Sequence, residues 1–231
     1  MIASYVCISL ILPRLAWANT EKTIFLGPSP AGVDPTHPTL DSLRLIRPLN
    51  PHQPAIRTHL EVAPHQSSYG KASWFVLHNL TEGRRYEVRV CWAATQPTAF
   101  RLEPYELKTV LKAPELTSEL SSYASTLQSN MDNHAVIPLQ ILKLAIEDSV
   151  LLLRVIAAAD FYTTNSTLMK SPPPVFVDII LDPFLLNILP RSLVSTVTYI
   201  LVVAIVSWWV GRRISSWIRQ IAAEPPKQKY Q

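Results

Sequence analysis

With 231 residues, 20 prolines and only 5 glycines, the chain excludes a helical bundle and favours many short extended segments joined by stiff loops. Its formal net charge of +4 does not describe a nucleic-acid-binding face. Arg212, Arg213, Arg219, Lys227 and Lys229 crowd the C-terminal end against one acid, Glu224, which is the asymmetry of a positive-inside membrane flank.

Met1 to Leu12 is a short apolar run, and Ala16-Trp17-Ala18 places small residues where a signal peptidase needs them, so residues 1–18 read as a signal peptide. A run this short cannot cross ~30 Å of hydrocarbon, which disfavours an uncleaved anchor. Cleavage after Ala18 removes Cys7 and leaves Cys91 as the only cysteine. It is then a packed thiol or an intermolecular link.

Residues 19–113 read as a β-sandwich-like domain. Asn19 to Leu26 and Ile56 to Val62 suit strands, separated by proline-rich stretches. His37, His52, His59 and His65 scatter through this region without metal-ligand spacing. Between Ser73 and Trp92, two alternating segments flank a turn at Thr81-Glu82-Gly83. On the second, Tyr86, Val88, Val90 and Trp92 share one face, while Glu87, Arg89 and Cys91 share the other. The spacing of Leu80, Gly83, Tyr86, Val88 and Val90 resembles the E–F corner of fibronectin III and Ig-like sandwiches, where a tyrosine hydroxyl bonds back across the corner. The alternative is a plain hairpin. The tryptophan that strand C of such sandwiches often carries is missing from Ile56 to Val62, which leaves the exact topology open. Phe100 to Leu102 and Leu107 to Leu111 suggest a closing strand broken at Pro104.

Residues 114–192 read as a second, membrane-proximal α+β region. Leu116, Leu120, Tyr123 and Leu127 recur at helical spacing behind Pro114 at a first helical position. Ile137 to Ala159 is apolar enough to suggest a second span. Its Lys143, Glu147, Asp148 and Arg154 would cost ~2.5–3.5 kcal/mol each near a helix centre, against ~0.3–0.6 returned per Leu, Ile or Val. The segment therefore belongs to a protein core, as helix or as helix followed by strand. Asn79-Leu80-Thr81 and Asn165-Ser166-Thr167 are N-glycosylation sequons. Val175 to Leu181 reads as a strand. After it Phe184, Leu185, Leu186 and Leu189 stand close to the membrane, against lipid headgroups, the domain's own core or a partner.

Leu193 to Val210 carries no charge and at ~1.5 Å per residue covers roughly 27 Å, near the ~27 Å core of an endoplasmic reticulum bilayer. Residues 193–210 read as the single transmembrane helix. The charge asymmetry places the preceding residues in the lumen and the basic tail, 211–231, in the cytosol. The apolar face formed by Ile214, Trp217, Ile218 and Ile221 suggests a short helix in the cytosolic interface. Ser195, Thr196 and Ser207 are small polar residues suited to contact with a partner helix. Lys227 and Lys229, fifth and third from the end, form a dilysine retrieval address. The basic tail excludes a GPI-attachment signal, which would end in its apolar segment.

No Gly-rich phosphate loop, Gly-x-Ser-x-Gly or Cys/His pairing occurs. The expectation is a protein that is not an enzyme, with no cofactor and no metal. Asn19 to Leu26, Gly83 to Trp92 with Gln96-Pro97-Thr98, Ala157 to Asn165, and Val177 to Asn187 together resemble the fungal GPI-mannosyltransferase II co-activator family. The resemblance implies a single-span endoplasmic reticulum protein. It would associate with the multi-span catalytic subunit that adds the second mannose to the GPI precursor, taken from dolichol-phosphate mannose. No ligand residue carries over. The residues alone leave a second reading open, a luminal cargo-binding receptor or folding factor recycled by its dilysine tail.

Overall fold

The computed structural model of the chain describes residues 18–30, 47–65, 70–129 and 149–223. The signal reading over Met1 to Trp17, the stretches 31–46 and 130–148, and the retrieval lysines Lys227 and Lys229 lie outside them. Two compact units divide between Phe184 and Leu185.

In the first unit, period-two alternation of apolar side chains produces strands whose faces differ in polarity. They are β1 (Ala18–Leu26), β2 (Pro48–Leu49), β3 (Ala55–Leu60), β4 (Lys71–Leu80), β5 (Arg85–Ala93), β6 (Thr98–Glu106), β7 (Ser149–Ala159) and β8 (Val175–Leu185). One sheet runs β1-β5-β8-β3, with every neighbour antiparallel. The other runs β2-β4-β7-β6, antiparallel except for the short parallel β2–β4 contact. Tyr86, Val88, Val90 and Trp92 of β5 and Val175, Val177, Ile179 and Leu181 of β8 meet Phe75 and Leu77 of β4 and Leu151, Leu153, Val155 and Ala157 of β7 in one buried cluster. Each such aliphatic side chain contributes ~1.5–3 kcal/mol on full burial.

A third layer covers the second sheet. Helices α1 (Leu107–Lys112) and α2 (Pro114–Ser129) place Leu107, Val110 and Leu120 against Trp74, Val76, Val150 and Leu152. Strand β7 is thereby buried on both faces, so its sequence is an almost unbroken apolar run. This settles 149–159 as strand, where pattern alone left helix or strand open. Its one charge, Arg154, lies between the sheet and α2. The guanidinium donates to both Glu119 oxygens, at 2.8 and 2.6 Å, and to Glu103 at 3.0 Å. Trp74 Nε1 also donates to Glu119, at 3.2 Å, and the Tyr105 hydroxyl to Glu103, at 2.9 Å. The Glu119 hydrogen bond raises the Arg154 pKa above its ordinary value in spite of burial. Burial, with Glu103 beside it, pushes the Tyr105 hydroxyl up.

Strands β4 and β5 belong to different sheets. The turn between them is a crossing, and the plain-hairpin alternative is excluded. The backbone N–H of Thr81 donates to the fully buried Tyr86 hydroxyl at 2.9 Å. The Gly83 N–H donates to the Gly27 carbonyl at 2.9 Å, and the Gly27 N–H to the Arg84 carbonyl at 2.8 Å. Gly83 adopts φ +69°, while a Cβ on Gly27 would stand 2.1 Å from the Thr81 carbonyl oxygen. A side chain is therefore excluded at Gly27, and Gly83 holds a conformation that glycine adopts without strain. Phe25 stacks on the Tyr86 ring at 5.9 Å. Gly83 and Tyr86 thus lie at one crossing between the sheets, with Val88 and Val90 beyond it fully buried.

Three expectations change. Strand β6 continues through Pro104, which pairs with Leu153, because β6 is an edge strand where a missing N–H breaks no ladder bond. Leu107 to Leu111 then belong to α1. A boundary between residues 113 and 114 does not separate compact units. Among the described strands β3 pairs only with β8 and β6 only with β7, so residues 149–184 complete the sheets begun by residues 18–106.

In the second unit, after the short α3 (Ser166–Lys170) of the first, a single turn of 3-10 helix at Arg191–Leu193 leads into α4 (Val194–Ala223). This helix has 30 residues, about 45 Å at ~1.5 Å per residue. It runs through Gly211 without a break, so no separate short helix starts there. One interior glycine costs only ~1 kcal/mol, and the described part of the helix contains no proline.

Tyr86→Phe should leave the Thr81 N–H buried without its acceptor and cost about 1–3 kcal/mol, read by urea unfolding of the detergent-solubilised full chain. Arg154→Met, which strands Glu119 and Glu103 under α2, should cost about 2–3 kcal/mol in the same assay.

Candidate membrane and partner interface

Helix α4 is built from residues that suit lipid rather than a protein core. Over Arg191–Ala222, the most apolar window has mean hydropathy 2.1 and none of it is buried. Ile200, Leu201, Ile205, Trp208 and Trp209 are each more than half exposed. The chain therefore has one helix long and apolar enough to cross a membrane among its described residues. The Thr198 hydroxyl donates to the Val194 carbonyl at 2.8 Å, so its polar atom is satisfied within the helix. Ser195 and Thr196 are exposed in the first turn. At the other end, the Arg212 guanidinium lies 4.8 Å from the Trp208 ring centroid.

Before the helix, the chain turns at Leu185–Ile188. The Ile188 N–H donates to the Leu185 carbonyl at 3.0 Å. Leu186 and Asn187 adopt φ +52° and +58°, the two positive values of a type I′ turn. Leu186 is 92% and Ile188 78% exposed. Phe184 differs from the expected contact group. It is buried in the first unit, with the Arg85 guanidinium 5.8 Å from its ring centroid and its carbonyl accepting from Arg84 Nε at 3.2 Å. Phe184 lies on the face of β8 opposite Val177, Ile179 and Leu181 and is covered there, 5% exposed, while Leu185 is exposed. Sequence reasoning missed Ile188; the signal was the Asn187 beside it, a residue that tolerates the left-handed turn conformation.

Both sequon asparagines are exposed. Asn79 sits at a register shift in β4, between Leu77 and Leu80, with φ +57°. Asn165 caps α3 through Oδ1, which accepts from the Thr167 and Leu168 amides at 3.0 and 3.4 Å. That bond engages the oxygen and not the amide nitrogen that would carry a glycan.

On the outer face of the first sheet, Arg57 clasps Asp178 at 2.7 and 2.9 Å. This hydrogen-bonded pair holds Asp178 below the usual carboxylate range. Its stabilisation is present above the ordinary carboxylate pKa and is lost as pH falls through the lowered value. Glu87 takes Lys22 at 3.3 Å and Arg89 at 3.5 Å. Cys91 is a free, half-buried thiol on this face, accepting from the Thr20 hydroxyl at 3.5 Å.

A cleft of about 920 Å³ is lined by His59 of β3 and Glu61 just after it, by Lys71 and Ser73 of β4, and by Glu119 and Tyr123 of α2. Its charges largely satisfy each other, Lys71 with Glu61 and Arg154 with Glu119. Burial pushes the Tyr123 hydroxyl up. The described histidines act separately: His59 packs on Phe176 at 4.9 Å, and His65 Nδ1 donates to the Ala159 carbonyl at 2.9 Å. Among the described residues, no three His, Cys, Asp or Glu side chains form a metal-binding group.

The chain matches no protein-family model, no curated protein and no solved structure.

Phe184→Ala should cost about 3–5 kcal/mol by removing a core aromatic. Leu186→Ser should stay within about 0.5 kcal/mol of the parent. Denaturation midpoints of the two variants in one detergent separate core from surface.

Proposed function

We propose that the chain is a non-catalytic, single-span accessory subunit of the endoplasmic reticulum mannosyltransferase that adds the second mannose in GPI-anchor biosynthesis. The observation that carries this reading is a 30-residue apolar helix with none of its membrane-length window buried, joined to a β-rich head. Such a helix is covered by lipid or by other spans. The segments resembling the GPI-mannosyltransferase II co-activator family supply the identity of the partner, a multi-span catalytic subunit.

In this reading α4 crosses the endoplasmic reticulum membrane once, with the head luminal and the basic tail cytosolic. The Tyr86–Thr81 corner supports a head of the fibronectin III/Ig-like type, elaborated by α1 and α2 on one outer face. Asn79 and Asn165 carry glycans, for which their exposure is a prerequisite. Lys227 and Lys229 return escaped molecules from the Golgi. Ser195 and Thr196, small, polar and exposed in the first turn of α4, contact the catalytic subunit's helices. The protein stabilises or activates that subunit and performs no chemistry itself.

The cleft beside α2 favours one other reading, a luminal cargo receptor or folding factor that grips clients there and recycles by its dilysine tail. Depletion separates the two. Accumulation of a GPI precursor carrying a single mannose, seen by thin-layer chromatography of radiolabelled lipids, is the expected result. Normal GPI intermediates with retention of selected cargo would favour the receptor.

A further inference from the structure

Leu186 and Ile188 form an apolar tip that nothing in the protein core uses. Leu186 is 92% exposed and Ile188 78%. The tip is held by two successive non-glycine residues in the left-handed region, Leu186 at φ +52° and Asn187 at φ +58°. A leucine in that conformation is strained, and such strain persists where the surroundings impose it and clusters at functional positions. Where a type I′ turn faces water, Asn-Gly satisfies the backbone at lower cost. Here the chain places a large apolar side chain at the most exposed point instead.

The surroundings identify what covers it. The turn and α4 belong to the same compact unit. Arg191 opens the apolar helical window and lies five residues after Leu186. At ~3.3–3.6 Å per extended residue, the tip stands within roughly 18 Å of that point. The turn also closes its own backbone, the Ile188 N–H donating to the Leu185 carbonyl at 3.0 Å, as a segment leaving water requires. Arg191, exposed beside it, matches the anionic phosphate of a headgroup.

We infer that the Leu186–Ile188 tip inserts into the interfacial region of the bilayer that α4 crosses, as a second and shallow membrane contact beside the span. Its occupant is lipid, not a protein partner. The inference rests on α4 being a span, and the test separates the two.

The full chain, with Cys7→Ser and Cys91→Ser, is reconstituted without other proteins into phosphatidylcholine vesicles. Nitroxide labels are attached in turn at Leu186→Cys, at Val203→Cys within α4, and at Tyr162→Cys, whose parent residue is 79% exposed on the head. Power saturation compares access of oxygen and of a water-soluble nickel chelate at each label. The expected result is loss of nickel access at 186 relative to 162, with a gain in oxygen access, and a deeper signature of the same kind at 203. Nickel access at 186 equal to that at 162, with 203 shielded, would overturn the tip insertion and leave the span standing. Shielding at 186 that appears only after a protein partner is added would overturn it equally. Free nickel access at 203 would overturn the span itself, and the tip with it.

Discussion

The head depends on the need to keep both faces of β7 dry. One face packs into the cluster shared with the first sheet, and the other lies under α1 and α2. An edge or solvent-facing strand of this composition would expose a long apolar ribbon, a template for aggregation. The layering resolves that hazard by placing β7 between β4 and β6 in its sheet and beneath the helices. Arg154 is the exception that the arrangement has to accommodate. Desolvating a guanidinium is tolerable only with near-complete pairing, and the Glu103 and Glu119 carboxylates supply it, each also accepting from an aromatic donor, Tyr105 or Trp74.

The same requirement explains what was legible in the sequence and what was not. The face shared by Tyr86, Val88, Val90 and Trp92 could be read directly, because β5 has one wet side and therefore alternates. The corner was legible too, since a glycine three residues before a buried tyrosine is a local pattern closed by a local bond. Strand β7 was not, because burial on both faces erases the alternation that distinguishes strand from helix. Pro104 misled for a related reason. Proline argues against a strand only when that strand has neighbours on both sides, and which strands lie at edges is a property of the assembled sheet.

At the membrane side, the apolar helix was plain from its lack of charge, yet its end was not. Gly211 and the arginines after it suggested a stop, whereas the helix continues to Ala223. The turn before it was only half legible. Phe184, Leu185 and Leu186 looked equivalent as a string of apolar letters. Phe184 is covered beside the arginines at the start of β5, and the left-handed turn lifts the last into the open.

The pairing of β3 bears on how the head comes into being. Its neighbour among the described strands, β8, lies at the far end of the unit, and the registers Ala55 with Ile180 and Leu60 with Val175 join segments made long after one another on the ribosome. Until β8 is made, β3 and the β1–β5 pair lack the strand that lies between them in the sheet. Contacts so distant along the chain are slow to form. Synthesis of α4 follows at once, so the head reaches its final pairing only as the long apolar helix emerges.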